Sequence, residues 1–366
     1  MTTTGSRPLQ AWTTVLPVAS ILLLAAAWGR HPGDAVLAVL ALFLVGAVLA
    51  AVHHAEVVAH RVGEPFGSLL LAVAVTVIEV ALIVSLMASG GKDTSTLARD
   101  TVFAAVMISV NGIVGMCLLV SSLRHHLAVF NPEGTGAALS TVITLAALCL
   151  VVPRFTTTEA GPEFSGGQLA FAAVASLSLY AMFVFTQTVR HRDFFLPVEK
   201  GQVDEDGDGH ADPPTTRAAL MSLGLLLLAL VSVVGLAKVE SPAIEKGVAA
   251  LGLPHAFVGV VIALLVLLPE SIAATRAAAN ARVQIGMNLA YGSAMASIGL
   301  TIPTIAVASI WIDGPLRLGL EPLQIALLFI SVIVGILTVV PGRAKPLQGG
   351  VHLVLLAAFV FLSIRP

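Results

Sequence analysis

Eleven runs of roughly twenty apolar residues follow one another along this chain, and that repetition leaves few folds open. A helix rises about 1.5 Å per residue, so about twenty residues cross the hydrocarbon core of a bilayer. The runs fall at 12–28, 34–59, 67–88, 101–123, 136–153, 167–189, 217–238, 255–275, 288–312, 321–340 and 347–364. Of the 366 residues 57% are hydrophobic and only 11% charged, with a mean hydropathy of +0.97. Soluble proteins carry about 25% charged residues. The expectation is an all-α membrane protein with about eleven transmembrane helices and the lipid bilayer as its surroundings. The net charge of −2 carries no information about nucleic acid, and no basic stripe suggests it, so no nucleic-acid partner is expected. The opening residues, MTTTGSRPLQ, lead into a span without a small-residue cleavage site, which reads as a retained helix. Cys117 and Cys149 fall inside apolar spans and read as small buried hydrophobes.

Most connections are short and carry Gly, Pro or charge. The exception is 190–216, RHRDFFLPVEKGQVDEDGDGHADPPTT, an acidic linker with six spans before it and five after. The chain therefore divides into an N-terminal helix (1–33), a five-helix unit (34–189), the linker (190–216) and a second five-helix unit (217–366). An odd number of spans per unit makes the second copy enter from the opposite side. The expected arrangement is an inverted repeat, which in many secondary transporters places a site at the bilayer midplane. With the N-terminus in the cytoplasm, cytoplasmic loops hold eleven of the nineteen Lys and Arg, Arg61, Arg124 and Arg276 among them. That asymmetry predicts an inner (plasma) membrane protein with a cytoplasmic linker and an outward C-terminus.

Two carboxylates break the apolar pattern. Glu79 sits within Gly67–Ala88, and Glu270 sits within HAFVGVVIALLVLLPESIAAT; each is in the second helix of its unit. A charge at mid-membrane costs roughly 2.5–3.5 kcal/mol on insertion scales. Hard cations favour oxygen ligands, and low dielectric disfavours a lone carboxylate's charge, so such a group can hold a metal ion or a proton. Two carboxylates are neutralised by one divalent cation or by two protons. If the empty, doubly charged site cannot reorient, exchange becomes obligatory. Pro269 removes a backbone donor beside Glu270, so a freed carbonyl lining a cation site and a simple kink are both open readings.

The helix after each Glu helix is polar at membrane depth. The first carries Ser109, Asn111, Gly112 and Gly115; the second carries Gly292, Ser293, Ser297, Gly299 and a kinking Pro303. Ser293 and Ser297, four apart, share a face. Their glycines suit close helix packing, and for Asn111 and Ser297 cation ligation stands beside interhelical hydrogen bonding. His53, His54, Glu56 and His60 cluster near the end of the second span, as a proton path or pH sensor or as interfacial residues. Their spacing does not match H-E-x-x-H, which excludes a zinc-protease motif. In the linker, Asp204, Asp206 and Asp208 begin like a calcium-binding EF-hand loop, but Thr215 stands where the twelfth-position Glu belongs. A regulatory Ca²⁺ loop and an acidic loop without a site both remain open.

The stretches HHAEVVAHRVGEPFGSLLLAVAVTVIEV (53–80), RDTVFAAVMISVNGIVG (99–115) and LPESIAATRAAANARVQIGMNLAYGSAMASIGLTIP (268–303) resemble the cation/calcium exchanger superfamily. The nearest resemblance is to its bacterial calcium/proton antiporters of the ChaA type. It implies two inverted five-helix repeats whose acidic residues, Glu79 and Glu270, bind the cation and exchange it for protons. Asn111, Ser293 and Ser297 would assist. The wider superfamily often has Gly-Asn three residues before the acid; this chain has Thr76-Val77-Ile78-Glu79 and Leu267-Leu268-Pro269-Glu270. The expected function is proton-coupled export of Ca²⁺, or of Na⁺ or K⁺, by alternating access. No cofactor is called for, and the cation is cargo. A passive cation channel is the alternative, and no nucleophile–base or metal-ligand motif points to an enzyme.

Overall fold

The computed structural model describes residues 11–30, 32–63, 66–87, 94–197, 214–311 and 314–365. These form eleven helices: α1 (Ala11–Ala27), α2 (Asp34–Val62), α3 (Phe66–Met87), α4 (Leu97–His125), α5 (Pro132–Arg154), α6 (Gly166–Arg190), α7 (Thr216–Ala250), α8 (Phe257–Ala279), α9 (Val283–Ala308), α10 (Pro322–Val339) and α11 (Pro346–Ile364). Among the described residues, nine are long and apolar enough to cross a membrane; shorter apolar segments lie at Trp12–Ala27 and Val73–Ser85. The expected helical membrane fold is thus the observed one. A short antiparallel pairing is added to it, Ala128–Val129 with Arg343–Ala344, and an isolated antiparallel bridge joins Glu163 and Arg317.

Helix starts follow local chemistry. Asn131 caps α5, its Oδ1 accepting from the N–H groups of Glu133 and Gly134 at 2.9 and 3.4 Å. At α6, α10 and α11 a glutamine at the third helical position, Gln168, Gln324 or Gln348, accepts from the backbone N–H of the capping residue at 2.9–3.0 Å. Proline occupies the first position of α5, α10 and α11, where no intrahelical donor is lost.

Two compact units arise. The first comprises α1, α2, α3 and most of α7. In it α2 packs on α1 and α3. The His54 ring nitrogen Nε2 lies 3.0 Å from the Thr13 carbonyl, and Arg61 donates to Thr216 Oγ1 at 2.9 Å. The sequence reading ended α7 at 238, where Lys238, Glu240, Glu245 and Lys246 interrupt the apolar run. The helix instead continues through Pro242 to Ala250. Lys238 is exposed and reaches over the face of Trp28, 5.4 Å from the ring centroid, in a cation–π contact.

The second unit comprises α4–α6 and α8–α11. Its axis is α4, packed by α8, α9 and α11 and buried at every position from Leu97 to Gly115. Over Ile108–Ile113 α4 widens into a π turn. The α9 helix breaks at Leu300, between Gly299 and Thr301, because Pro303 has no N–H for the Gly299 carbonyl. The linker's first residues are folded: Arg192–Phe195 form a 3₁₀ turn, Phe195 stacks edge-on against Phe183, and its carbonyl accepts from Asn288 at 2.7 Å.

Candidate functional site

In the second unit the site begins where α8 and α9 run side by side. Gly286 of α9 makes this approach possible, since a Cβ there would meet the Ala274 carbonyl at 2.9 Å and Cys117 Sγ at 2.7 Å. Seven residues further along the same face of α9, Ser293 donates to Glu270 Oε2 at 3.0 Å. Of the residues singled out in the sequence, Glu270 and Ser293 are therefore brought together. Ser297, one turn beyond, is buried. The α8 helix runs unbroken through Pro269, while the hydroxyls of Ser271 and Thr275 bond back to the Leu267 and Ser271 carbonyls.

Asn111 lies in the π turn of α4, fully buried, and its amide is engaged elsewhere in the same unit. Its Nδ2 donates to Ser331 Oγ on α10 at 2.9 Å, and its Oδ1 lies 3.2 Å from His352 Nδ1 on α11. His352 Nε2 in turn lies 3.2 Å from Thr338 Oγ1. π turns are one-residue insertions often found at functional positions, because they aim a side chain off the regular helical face. Ser331, Thr338 and His352 were missed from the sequence. The available signal was a single histidine in a span otherwise without charge, the kind of polar residue that membranes rarely tolerate without a role. Ser109, in the same π turn, is fully buried with its hydroxyl unpartnered among the described residues.

In the first unit Glu79 is 2% exposed in the middle of α3. The α7 extension adds a carboxylate absent from the sequence expectations: Glu240, 3% exposed, with Oε1 lacking a described partner. His53 and His54 pack edge to face, 5.4 Å between centroids, with His54 buried against α1 and Glu56 exposed. His54 thus ties two helices together. Asp204, Asp206 and Asp208 lie outside the described residues. Among the described residues no three His, Cys, Asp or Glu side chains converge as a metal cluster. A cation taken up by Glu270 would complete its shell with hydroxyl, amide and carbonyl oxygens.

A second polar centre opens at the start of α4. Arg99 donates to Asp100 Oδ1 at 2.8 Å and to Glu321 Oε1 at 3.3 Å, and Gln324 also reaches Asp100 Oδ1. These residues border a cavity of about 170 Å³ between the ends of α4, α8, α10 and α11.

Many apolar helices, a membrane-depth carboxylate held by a hydroxyl, and polar residues set into a π turn define a multi-pass ion-transporter class. The sequence profile of the sodium/calcium exchanger protein family matches residues 34–189 and 221–365, and the chain belongs to that family. This bears out the resemblance to the cation/calcium exchanger superfamily. The sodium-potassium/proton antiporter ChaA of Escherichia coli is 33% identical over 350 residues, covering 94% of each chain. The protein y4hA of Sinorhizobium fredii is 45% identical over 356 residues, covering 96% of this chain and 91% of its own. Among solved structures, native YfkE aligns with a TM-score of 0.72 at 15% identity, over 97% of this chain and 99% of its own. The H⁺/Ca²⁺ exchanger CAX aligns with a TM-score of 0.70 at 14% identity, over 96% and 91%.

Proposed function

We propose that this protein is a proton-coupled antiporter that exports Ca²⁺ from the cytoplasm across the inner membrane, with Glu79 and Glu270 as the groups that exchange cation for protons. Supporting it, each of the two family-matched segments carries a carboxylate at membrane depth in its second helix. The two segments fit the reading of one extra helix and two five-helix repeats, and the Lys and Arg bias of the loops supports an N-terminus and linker inside and a C-terminus outside. Protons arriving from outside neutralise both carboxylates and release the cation. The protonated or the cation-loaded form then reorients, whereas the empty, doubly charged form is too costly to do so. Ser293, Ser297 and Asn111 supply neutral oxygens to the cargo, no cofactor takes part, and no bond is made or broken in a substrate.

A second reading, Na⁺ or K⁺ as cargo, is favoured by the name of the 33% identical Escherichia coli relative. Both are tested in everted membrane vesicles by the collapse of a preformed pH gradient on adding Ca²⁺, Na⁺ or K⁺. Coupled exchange predicts uphill cation uptake driven by the gradient. Cation movement that ignores the gradient would make the protein a channel, and full exchange in both Glu79→Gln and Glu270→Gln would remove them from the site.

A further inference from the structure

The buried polar chain on α4, α10 and α11 has a definite direction. The Ser331 hydroxyl donates to the Leu327 carbonyl at 2.8 Å, so its oxygen is left to accept, and the group facing it must be the Asn111 NH₂. Asn111 Oδ1 then faces His352 Nδ1, which must carry the hydrogen. A neutral imidazole so arranged has its lone pair on Nε2, and the Thr338 hydroxyl supplies the donor. Every link runs one way, from Thr338 through His352 and Asn111 to Ser331 and Leu327. All four side chains are at most 3% exposed, so no bulk water competes for these groups.

Backbone geometry makes this contact possible. A Cβ on Gly349 would lie 2.6 Å from the Leu119 nitrogen and 2.8 Å from the Gly115 carbonyl oxygen, and one on Gly115 would lie 3.1 Å from the Gly349 carbonyl oxygen. Two glycines thus let α4 and α11 meet backbone to backbone. Asn111 and His352 sit one turn from this crossing, Asn111 four residues before Gly115 and His352 three after Gly349.

We propose that His352 is a positioning residue for the cargo: its Nδ1–H fixes the Asn111 amide so that the carbonyl oxygen, not the NH₂, is presented for cation ligation. The inference rests on the reading of Asn111 as a cargo ligand. Carbonyl oxygen has two lone pairs, so it can accept from His352 and still offer one to a cation. Ser331 holds the NH₂ end of the amide and His352 the oxygen end; without the imidazole donor Ser331 alone opposes a turnover that would bring NH₂, which repels a cation, to the place of the oxygen.

The test uses gradient-driven cation uptake in everted vesicles, with initial rates measured against cation concentration for whichever of Ca²⁺, Na⁺ or K⁺ the wild type moves. Variants are Asn111→Ala, His352→Asn, His352→Gln and the double variant Asn111→Ala/His352→Gln, each normalised to folded protein by fluorescence-detected size exclusion. Asparagine at 352 places an amide N–H where Nδ1–H stood; glutamine places its amide at the Nε2 position and leaves Asn111 without its donor. The expected result is a KM raised about tenfold in His352→Gln at near-constant maximal rate, restored toward wild type in His352→Asn, and not raised further when Asn111 is already alanine. Equal KM in the two His352 variants, or additive effects with Asn111→Ala, would overturn the positioning role. A wild-type KM in Asn111→Ala, in a protein that exchanges cations normally, would remove the ligand role and this inference with it. A wild type that moves no cation against the gradient would instead refute the antiporter reading itself.

Discussion

Around Glu79 the residues three and four positions away on α3 are Val75, Thr76, Leu82 and Ile83, all buried and mostly large. Around Glu270 the corresponding positions on α8 are Val266 and Leu267, both buried, on the N-terminal side and Ala273 and Ala274 on the C-terminal side, and the carboxylate is half-buried beside Ser293. The difference lies after each acid: Leu82 and Ile83 follow Glu79, whereas two alanines follow Glu270 on a helix seam closed by Gly286. The Glu79 carboxylate, at 2% exposed, carries the heavier desolvation cost, while the half-buried Glu270 carboxylate accepts from Ser293. Two groups that look equivalent in sequence are supported by different physics.

The strongest way to break that comparison is to neutralise each carboxylate in turn. Glu79→Gln and Glu270→Gln should each lower gradient-coupled uptake by about 100-fold or more, since removing a charged partner in low dielectric costs about 3–5 kcal/mol. Retention of exchange by one alone would mean that a single carboxylate carries the cycle. Next in size is Gly286→Val. Forcing a branched side chain against the Ala274 carbonyl should cost about 1–3 kcal/mol and lower the detergent melting temperature; uptake should fall as the Ser293–Glu270 seam opens. An unchanged melting temperature would show that the seam is looser than its distances.

Ser293→Ala sharpens the contrast from the Glu270 side. Loss of a hydrogen bond to a charged group costs about 1.5–3 kcal/mol, so KM for the cation should rise about tenfold or more with the Glu79 side untouched. The smallest effect belongs to the exposed pair Arg317–Glu163, 3.2 Å apart and remote in sequence from either carboxylate. Glu163→Gln should change stability by about 0–1 kcal/mol, with uptake kinetics unaltered. A larger effect on uptake would extend the site's supports to that loop.

Most of the helical layout was legible because hydropathy reports directly on burial in lipid, and both carboxylates stood out for the same reason. The end of α7 was not, because Lys238, Glu240, Glu245 and Lys246 carry the polarity of a loop, although the helix runs on and buries Glu240 and Ser241. Glu270 and Ser293 were legible as candidate site residues on consecutive helices. The partners of Asn111 were not, because Ser331 and His352 lie more than 200 residues away in sequence; packing at Gly115 and Gly349 brings His352 to α4, and Ser331 comes from α10. Hydropathy also passes over a lone histidine in an apolar span.

In the π turn of α4 one extra residue is absorbed locally, so deleting one residue between 108 and 113 would close it to regular α geometry with the segments on either side near their present phase. What the deletion would take away is the off-face position of Asn111, and with it the reach to Ser331 and His352. The turn is a pocket of slack in an otherwise rigid rod. A single-residue deletion inside it should leave the detergent melting temperature nearer wild type than one elsewhere in α4, where the same loss rotates everything beyond it by about 100°.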